Sequence, residues 1–205
     1  MMRWGKKDKS IPLHQQEYVV LDTETTGFNM LTDRVISIGA VRMKNGQILL
    51  DQSFDFHVQI EGDLAKSAHV HGLTHQQLAH ADTEAVVYKR LLDYVGSSPV
   101  VAHYASFDQG MLDALAKRNG LSTIDSPWLD TMDAASVLHP SWSENAEKLS
   151  LDFQLQHHDI TAVARHTALG DAYSTALLFQ KQLHQLQRSG ITHSHQLRPK
   201  RTTLL

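Results

Sequence analysis

Two carboxylates placed two residues apart are the first feature of this sequence that could do chemistry. Asp22 and Glu24 belong to the run D-T-E-T-T-G at 22–27, which directly follows the apolar segment 18–21. That segment is short, rich in β-branched residues and flanked by polar residues, which indicates a buried strand. Side chains at i and i+2 of an extended chain point to the same side, so we expect both carboxylates to project together from the end of this strand.

Such a pair has two interpretations. Neighbouring carboxylates repel each other unless one is protonated or a cation lies between them. Ligands that are all oxygen favour Mg²⁺ or Mn²⁺ over Zn²⁺. The alternative is a polar strand end followed by a Thr/Gly turn that has no chemical role.

Two further segments carry candidate residues close to predicted helix starts. Asp108 follows the apolar strand 99–102 and lies in the first turn of a helix that Gly120 ends, although the helix dipole alone also favours an acid there. His166 and Asp171 are five residues apart, about 140° around a helix axis, so they would not share a helix face. We therefore place His166 in a loop and Asp171 in the first turns of the following helix, where the two can converge. The alternative for His166 is a solvated surface position, because the chain has 14 histidines.

The elements that must position these residues follow an α/β pattern. Further strands are predicted at 34–43 and 47–58, and Asn45-Gly46 between them indicates a hairpin. Three strands, then a helix, a strand and more helices predict one α/β domain with a mixed sheet. Helices are predicted at 82–95, with Asp82 as N-cap, and at about 130–138, 147–156 and 168–187.

Composition narrows the class of protein and its organisation. Apolar residues form 41% of the 205 residues, which excludes a wholly disordered chain, and the net charge of −3 excludes a basic coat for long nucleic acid. Cysteine is absent, which excludes disulfides and cysteine zinc sites. No apolar run is long enough to span a bilayer, so we expect no membrane contact and a cytoplasmic location. We expect a loosely ordered extension at 1–17, a domain at 18–187 and a flexible polar and basic tail at 188–205.

Taken together, the three segments resemble the DnaQ-like 3′–5′ exonucleases of the DEDD superfamily. The strings D-T-E-T-T-G at 22–27, A-H-Y-A-S-F-D at 102–108 and H-T-A-L-G-D at 166–171 are similar to the family's three motifs in order and spacing. Thr167 stands where the tyrosine subclass has Tyr, which indicates the histidine subclass, DEDDh. Tyr104 stands where the second motif usually has Asn. The resemblance covers about residues 17–186 and implies a ribonuclease H-like fold, with a mixed five-stranded sheet flanked by helices.

The resemblance also implies a site for phosphodiester hydrolysis with two Mg²⁺ or Mn²⁺ ions. It assigns Asp22, Glu24, Asp108 and Asp171 as metal ligands, with Asp22 bridging, and His166 as the general base. Two divalent cations about 3.5–4 Å apart can activate a water molecule and stabilise the leaving 3′-oxygen. An unperturbed imidazole has a pKa of about 6.5, close to working pH, which suits a general base.

Residues beside the first motif are expected to bind the terminal nucleotide. Thr25, Thr26 and Gly27 can offer backbone and hydroxyl contacts. Phe28 either stacks on a base or packs in the core, and base stacking on an aromatic ring contributes about 1–3 kcal/mol. His71, in a stretch that resembles a substrate-contacting segment, is expected to contact the sugar or a phosphate.

The implied substrate is the 3′ end of single-stranded DNA, as for the proofreading subunits of bacterial replicative polymerases, with a DNA polymerase as candidate partner. The same machinery serves ribonuclease T and oligoribonuclease, so RNA is the alternative substrate, and the motifs do not separate the two. A non-catalytic nucleic-acid-binding module is a second alternative. The presence of all five expected active-site residues argues against it.

Overall fold

The computed structural model describes residues 11–60 and 72–197, and its centre is a five-stranded mixed sheet. The strand order is β3-β2-β1-β4-β5, in which the first three strands are antiparallel and β4 and β5 run parallel to β1. The predicted α/β class and mixed five-stranded sheet are therefore confirmed. The strands are β1 Tyr18–Thr25, β2 Val35–Lys44, β3 Gln47–His57, β4 Val100–Ala102 and β5 Trp128–Asp130.

Helices cover both faces of this sheet. One core layer packs Leu21 and neighbouring strand residues against α2 and α3, while the other packs Val20 and its neighbours against α7. No helix within the described ranges has the length and apolar character needed to cross a bilayer. The helices are α1 His75–Ala79, α2 Glu84–Val95, α3 Ala105–Arg118, α4 Thr131–Leu138, α5 Ala146–Leu149, α6 Leu151–His157 and α7 Ala168–Arg188.

Strand β1 is longer than its apolar run predicts, and this extension carries the acidic pair. Asp22 and Glu24 lie within the strand, and Asp22 pairs with Gly39 of β2. On the other side of β1, however, β4 pairs only with Val19 and Val20. The last five residues of β1 therefore run past the paired part of β4, close to where the parallel strands end. This is the sheet edge at which α/β folds place ligands.

Two of the predicted helices differ in detail from the structure. The first begins at Glu84 with Thr83 as N-cap, so the prediction of Asp82 as N-cap is wrong. Asp82 instead bridges to Val58 through its backbone and pairs with Arg90 at 2.5 Å. The segment predicted as one helix at 147–156 forms two helices. Ser150 separates them, because its hydroxyl accepts a hydrogen bond from the Phe153 N–H and so caps the start of the second helix.

Residues on both sides of the predicted domain also join its core. Leu13 and Leu197 are buried in the cluster that covers the α7 face of the sheet. The Leu13 N–H donates to the Thr192 carbonyl at 2.8 Å, which ties the two segments together. Within the described ranges, the polar stretches predicted to be loose thus contribute apolar anchors to the packed domain.

Candidate active site

Three carboxylates converge at the end of β1. Asp22, Glu24 and Asp171 each offer a carboxylate oxygen, and these three oxygens all lie within 4.8 Å of one another. The first two come from one strand at alternate positions, as expected for side chains on one side of it. Asp171 lies in the first turn of α7. The N-cap of this helix is Thr167, whose hydroxyl accepts a hydrogen bond from the Gly170 N–H at 3.1 Å.

The start of α7 lies directly over β2 at Gly39. Gly39 is the residue opposite Asp22 in the antiparallel ladder, so this close contact brings the first turn of α7 to the acidic pair. Sequence reasoning did not single out Gly39. A glycine inside an apolar strand, which often marks a close backbone approach, was the available signal.

Asp108 joins the site from the opposite side of β1. It lies in the first turn of α3, is 3% exposed, and accepts a hydrogen bond from the Thr23 hydroxyl at 2.7 Å. Thr23 lies between the two acidic residues of the strand, so its side chain is on the opposite face of β1. Side chains on both faces of β1 therefore contribute to the site. Asp108 is not a member of the three-oxygen group, but its charge acts on Asp22. The structure thus brings three of the four carboxylates named by the sequence together and places Asp108 beside them, on Thr23.

The electrostatics of the site show unbalanced negative charge. Burial raises the pKa of Asp22 well above its usual range, and the charges of Asp108, Asp171 and Glu24 raise it further. Burial, with a contribution from Asp171, raises the pKa of Glu24 to about 7. Burial also raises the pKa of Asp108 to about 7, against the opposing effect of the hydrogen bonds from Thr23. A divalent cation bound to oxygen ligands would relieve this repulsion, so the residues fit Mg²⁺ or Mn²⁺.

The loop before α7 contributes to the same site. His166 is exposed, has a left-handed backbone with φ of 61°, and donates its N–H to Asp171 Oδ2 at 3.2 Å. The prediction that His166 lies in a loop and Asp171 in the first turn of a helix is confirmed. The neighbouring Arg165 pairs with Asp171 and Asp152. Sequence reasoning did not predict a cation in this position.

The turn before α3 departs from the family pattern at Tyr104. Tyr104 adopts a left-handed backbone with φ of 63°, a conformation that Asn adopts more readily than Tyr. The carboxylate of Asp130 stabilises this turn, because it accepts hydrogen bonds from the N–H groups of Tyr104 at 3.1 Å and Ala105 at 3.0 Å. Burial raises the pKa of Asp130 to about 6. Asp130 thereby supports the helix that carries Asp108, a role that the sequence did not indicate.

Two hydroxyl groups of the first motif, at the end of β1 and just after it, are engaged in hydrogen bonds. The Thr25 hydroxyl donates to the Gly27 carbonyl at 2.8 Å, and the Thr26 hydroxyl donates to Asp33 Oδ1 at 3.2 Å.

Phe28 is 89% exposed, which excludes the alternative that it packs in the core. Its ring centre lies 5.8 Å from that of Phe107. His71 lies outside the residues that the structure describes.

A cleft adjoins the acidic cluster on the α7 face. It has a volume of about 580 Å³ and extends from Glu24 towards the free edge of the sheet. Its apolar walls include Leu73, Val163, Leu169 and Tyr173. A mostly apolar cleft that includes a few carboxylates in its lining, here Glu24 and Asp55, is typical of a ligand site.

A mixed five-stranded sheet with three carboxylates at the end of its central strand is the arrangement expected from the resemblance to the DEDD exonucleases. A family model described as exonuclease, RNase_T, matches residues 19–179. The chain therefore belongs to this exonuclease family.

The relatives found by sequence are parts of much longer proteins. The DNA polymerase III PolC-type of Latilactobacillus sakei is 32% identical over 170 residues, which are 82% of this chain and 11% of that protein. The same polymerase type of Bacillus cereus is 31% identical over 185 residues, 90% of this chain and 12% of that protein. The chain thus spans about a tenth of the length of the curated relatives that it matches.

Solved structures share the fold at lower identity. E. coli exonuclease I in complex with a dT13 oligonucleotide has a TM-score of 0.71 at 20% identity, covering 86% of this chain and 43% of that chain. Exonuclease X in complex with 5′ overhanging duplex DNA has a TM-score of 0.67 at 24% identity, over 88% and 97%. The nuclease domain of 3′hExo, a DEDDh family member bound to rAMP, has a TM-score of 0.72 at 14% identity, over 87% and 95%.

Proposed function

We propose that this chain is a metal-dependent 3′–5′ exonuclease that removes nucleotides from single-stranded ends, with DNA as the favoured polymer. The convergence of Asp22, Glu24 and Asp171 is the observation that carries the proposal. Buried Asp108 adds a fourth negative charge beside them. A substrate phosphate is itself negative and would be repelled by these carboxylates, so bound cations are needed before the site can take a phosphodiester.

The four carboxylates would hold two Mg²⁺ or Mn²⁺ ions, with Asp22 as the shared ligand. When bound, the ions lower the pKa of a water molecule and stabilise the charge on the leaving 3′-oxygen. Carboxylates bind cations in their ionised form. Because the pKa of Glu24 is raised to about 7, protons compete with the metal at and below neutral pH.

His166 would act as the general base. The hydrogen bond from its N–H to Asp171 fixes the backbone of the loop to a proposed metal ligand. Its exposed imidazole can turn towards the cluster without leaving a packed position. A ring nitrogen would accept the proton of the attacking water molecule.

The terminal nucleotide would bind beside the first motif. The backbone groups of Thr25, Thr26 and Gly27 would contact the nucleotide, because the hydroxyls of the two threonines already donate hydrogen bonds within the protein. These hydrogen bonds hold the segment in a defined shape. The exposed ring of Phe28 would stack on a base. His71 would contact the sugar or a phosphate.

DNA is favoured over RNA because the sequence relatives are DNA polymerases and two of the similar structures hold DNA. On the same ground, a replicative polymerase is the partner that we propose. In the relatives, the matching segment is one part of a long polymerase chain. The polymerase that we propose as partner would therefore be either another part of the same polypeptide or a separate subunit.

Hydrolysis of the p-nitrophenyl ester of thymidine monophosphate tests the chemistry directly. We expect Mn²⁺-dependent release of nitrophenolate that stops on addition of a chelator and is absent in Asp22→Asn. No release by a folded protein with Mn²⁺ at neutral pH would favour a binding module. Matched DNA and RNA oligomers then decide the polymer, and faster cleavage of RNA would support the ribonuclease alternative.

A further inference from the structure

A single guanidinium group lies among the carboxylates of the site. Arg165 Nη1 pairs with Asp171 Oδ1, and its Nε and Nη2 lie 2.9 Å and 2.7 Å from Asp152 Oδ1. The side chain is 23% exposed, so most of it is shielded from water. The guanidinium thus joins a carboxylate inside the cluster to one outside it on α6.

The charge of Arg165 acts on the whole cluster. Its positive charge opposes the upward shift in the pKa of both Asp22 and Glu24. In the same way, Asp171 and Asp152 raise the pKa of the guanidinium. Arg165 is therefore an internal counter-ion of the acidic site.

Arg165 and His166 together engage both oxygens of Asp171. Oδ1 takes the guanidinium and Oδ2 takes the His166 N–H. A divalent cation that uses Asp171 as a ligand must share an oxygen with one of these groups or displace it. The cation would repel the guanidinium more strongly than the uncharged N–H of His166, because two positive charges at such short range repel strongly.

The backbone on both sides of Arg165 is strained. Ala164 has φ of 48° and His166 has φ of 61°, both in the left-handed region that non-glycine residues rarely adopt. Such conformations are unfavourable and persist only where surrounding contacts hold them. The ion pairs of Arg165 are contacts of this kind, so their loss would allow the loop to relax.

We propose that Arg165 competes with the divalent cation for Asp171 and thereby sets the metal affinity of the site. Binding of the cation releases the guanidinium from Asp171, while Asp152 continues to hold it at the edge of the site. Arg165 is a positioning residue for the loop that carries His166. This inference rests on the proposed function, because it takes the cluster to be a metal site.

Mn²⁺ binding, followed through the electron paramagnetic resonance signal of the free ion, tests the competition without measuring activity. We expect Arg165→Gln to bind Mn²⁺ at least about tenfold more tightly than the wild type, because one positive charge has been removed from a shielded site. Arg165→Lys keeps the charge and should remain near the wild-type affinity. Arg118→Gln is the matched control, since it breaks another partly buried ion pair, with Glu84 at 2.7 Å. Equal or weaker Mn²⁺ binding by Arg165→Gln would overturn the inference.

A second measurement uses the wild-type chain and so does not depend on the folding of a variant. The ¹⁵Nε–H resonance of Arg165, identified by its loss in Arg165→Lys, should shift as Mg²⁺ is titrated into the protein. A resonance that stays unchanged through saturation would contradict displacement. If the wild type binds neither Mn²⁺ nor Mg²⁺, the proposed metal site is overturned together with the role of Arg165. If the wild type binds the ions and Arg165→Gln has the same affinity, only the role of Arg165 is overturned.

Discussion

Gly39 and Leu169 approach each other more closely than any side chain would permit. A Cβ atom built on Gly39 would lie well under 3.0 Å from the backbone nitrogen of Leu169, and equally close to the carbonyl carbon of Ala168. Backbone atoms at the start of a helix cannot move aside as the tip of a side chain can. This contact sets the height of the first turn of α7 above the sheet, and with it the distance from Asp171 to the carboxylates of β1.

Gly39→Ala should therefore damage both stability and the site. Adding a methyl group to this packed contact is expected to cost about 1–3 kcal/mol, which corresponds to a fall in Tm of about 2–4 °C per kcal/mol for a chain of this size. Because α7 must lift away from β2, Mn²⁺ binding should weaken as well. Thermal melting and Mn²⁺ titration of the same sample measure the two effects.

Gly110→Ala is the matched control for that substitution. Its added Cβ would also lie under 3.0 Å from a neighbour, but the neighbour is the thioether end of Met30, which can rotate. We expect little change in Tm or in Mn²⁺ affinity. Equal effects of the two substitutions would show that the contact with α7 has no special role.

The raised pKa of Glu24 predicts how stability depends on pH. The ordinary value is 4.5 and the value in the folded chain is about 7, so the folded state holds the proton more tightly than the unfolded state. The stabilisation is complete below pH 4.5 and is lost as pH rises to about 7. Glu24→Gln stays neutral throughout, so in chelator its Tm should exceed that of the wild type by an amount that grows across this range.

The comparison between these two proteins removes the effects of titrating groups that do not interact with Glu24. Burial lowers the pKa of His103 to about 4, which by itself makes the fold less stable as pH falls below 6.5. That contribution is common to both proteins and cancels in the difference of Tm. A difference that stays constant between pH 4.5 and pH 8 would show that the Glu24 carboxylate titrates normally.

His166→Ala should lower the rate of hydrolysis by about 10²–10⁴, the usual contribution of a general base. Binding of Mn²⁺ should change little, because the contact of residue 166 with Asp171 is made by the backbone N–H. His184→Ala, at an exposed position on α7, is the control and should retain full activity. A His166→Ala enzyme that works at the full rate would remove the base assignment.

Phe28→Ala should weaken substrate binding rather than chemistry. Loss of one stacked base contact, about 1–3 kcal/mol, would raise KM by roughly 5- to 150-fold with a smaller change in kcat. Leu31→Ala is the matched control, since Leu31 is 88% exposed in the same loop but offers no ring. If both variants raise KM equally, the contact is apolar rather than a stacking interaction.

Local patterns in the sequence predict a large part of this fold. Asn45 and Gly46 both have positive φ, 50° and 72°, as the predicted hairpin requires. The alternation of Asp22 and Glu24 and the placement of His166 before a helix are likewise properties of short segments. In contrast, β5 has only three residues, Trp128–Asp130, too few to show a strand period, and it lies where a helix start was predicted.

The contacts that complete the site depend on the tertiary structure and leave no local signal. The Asp130 carboxylate reaches the N–H groups of Tyr104 and Ala105 from β5, the strand that pairs with β4. Arg165 lies next to a residue that the motif highlights, yet only the path of the loop shows that it points at Asp171. The four carboxylates could thus be named from the sequence, whereas the counter-ion Arg165 and the supporting residue Asp130 could not.

A time course of cleavage on a 5′-labelled single-stranded DNA oligomer shows whether this chain is a metal-dependent 3′–5′ exonuclease. The reactions contain Mg²⁺, Mn²⁺ or chelator, and Asp22→Ala, confirmed as folded by its melting curve, controls for contaminating nucleases. We expect a metal-dependent ladder that shortens from the 3′ end in the wild type and is absent in the variant. An uncut oligomer, or a ladder of the same rate from Asp22→Ala, would contradict it.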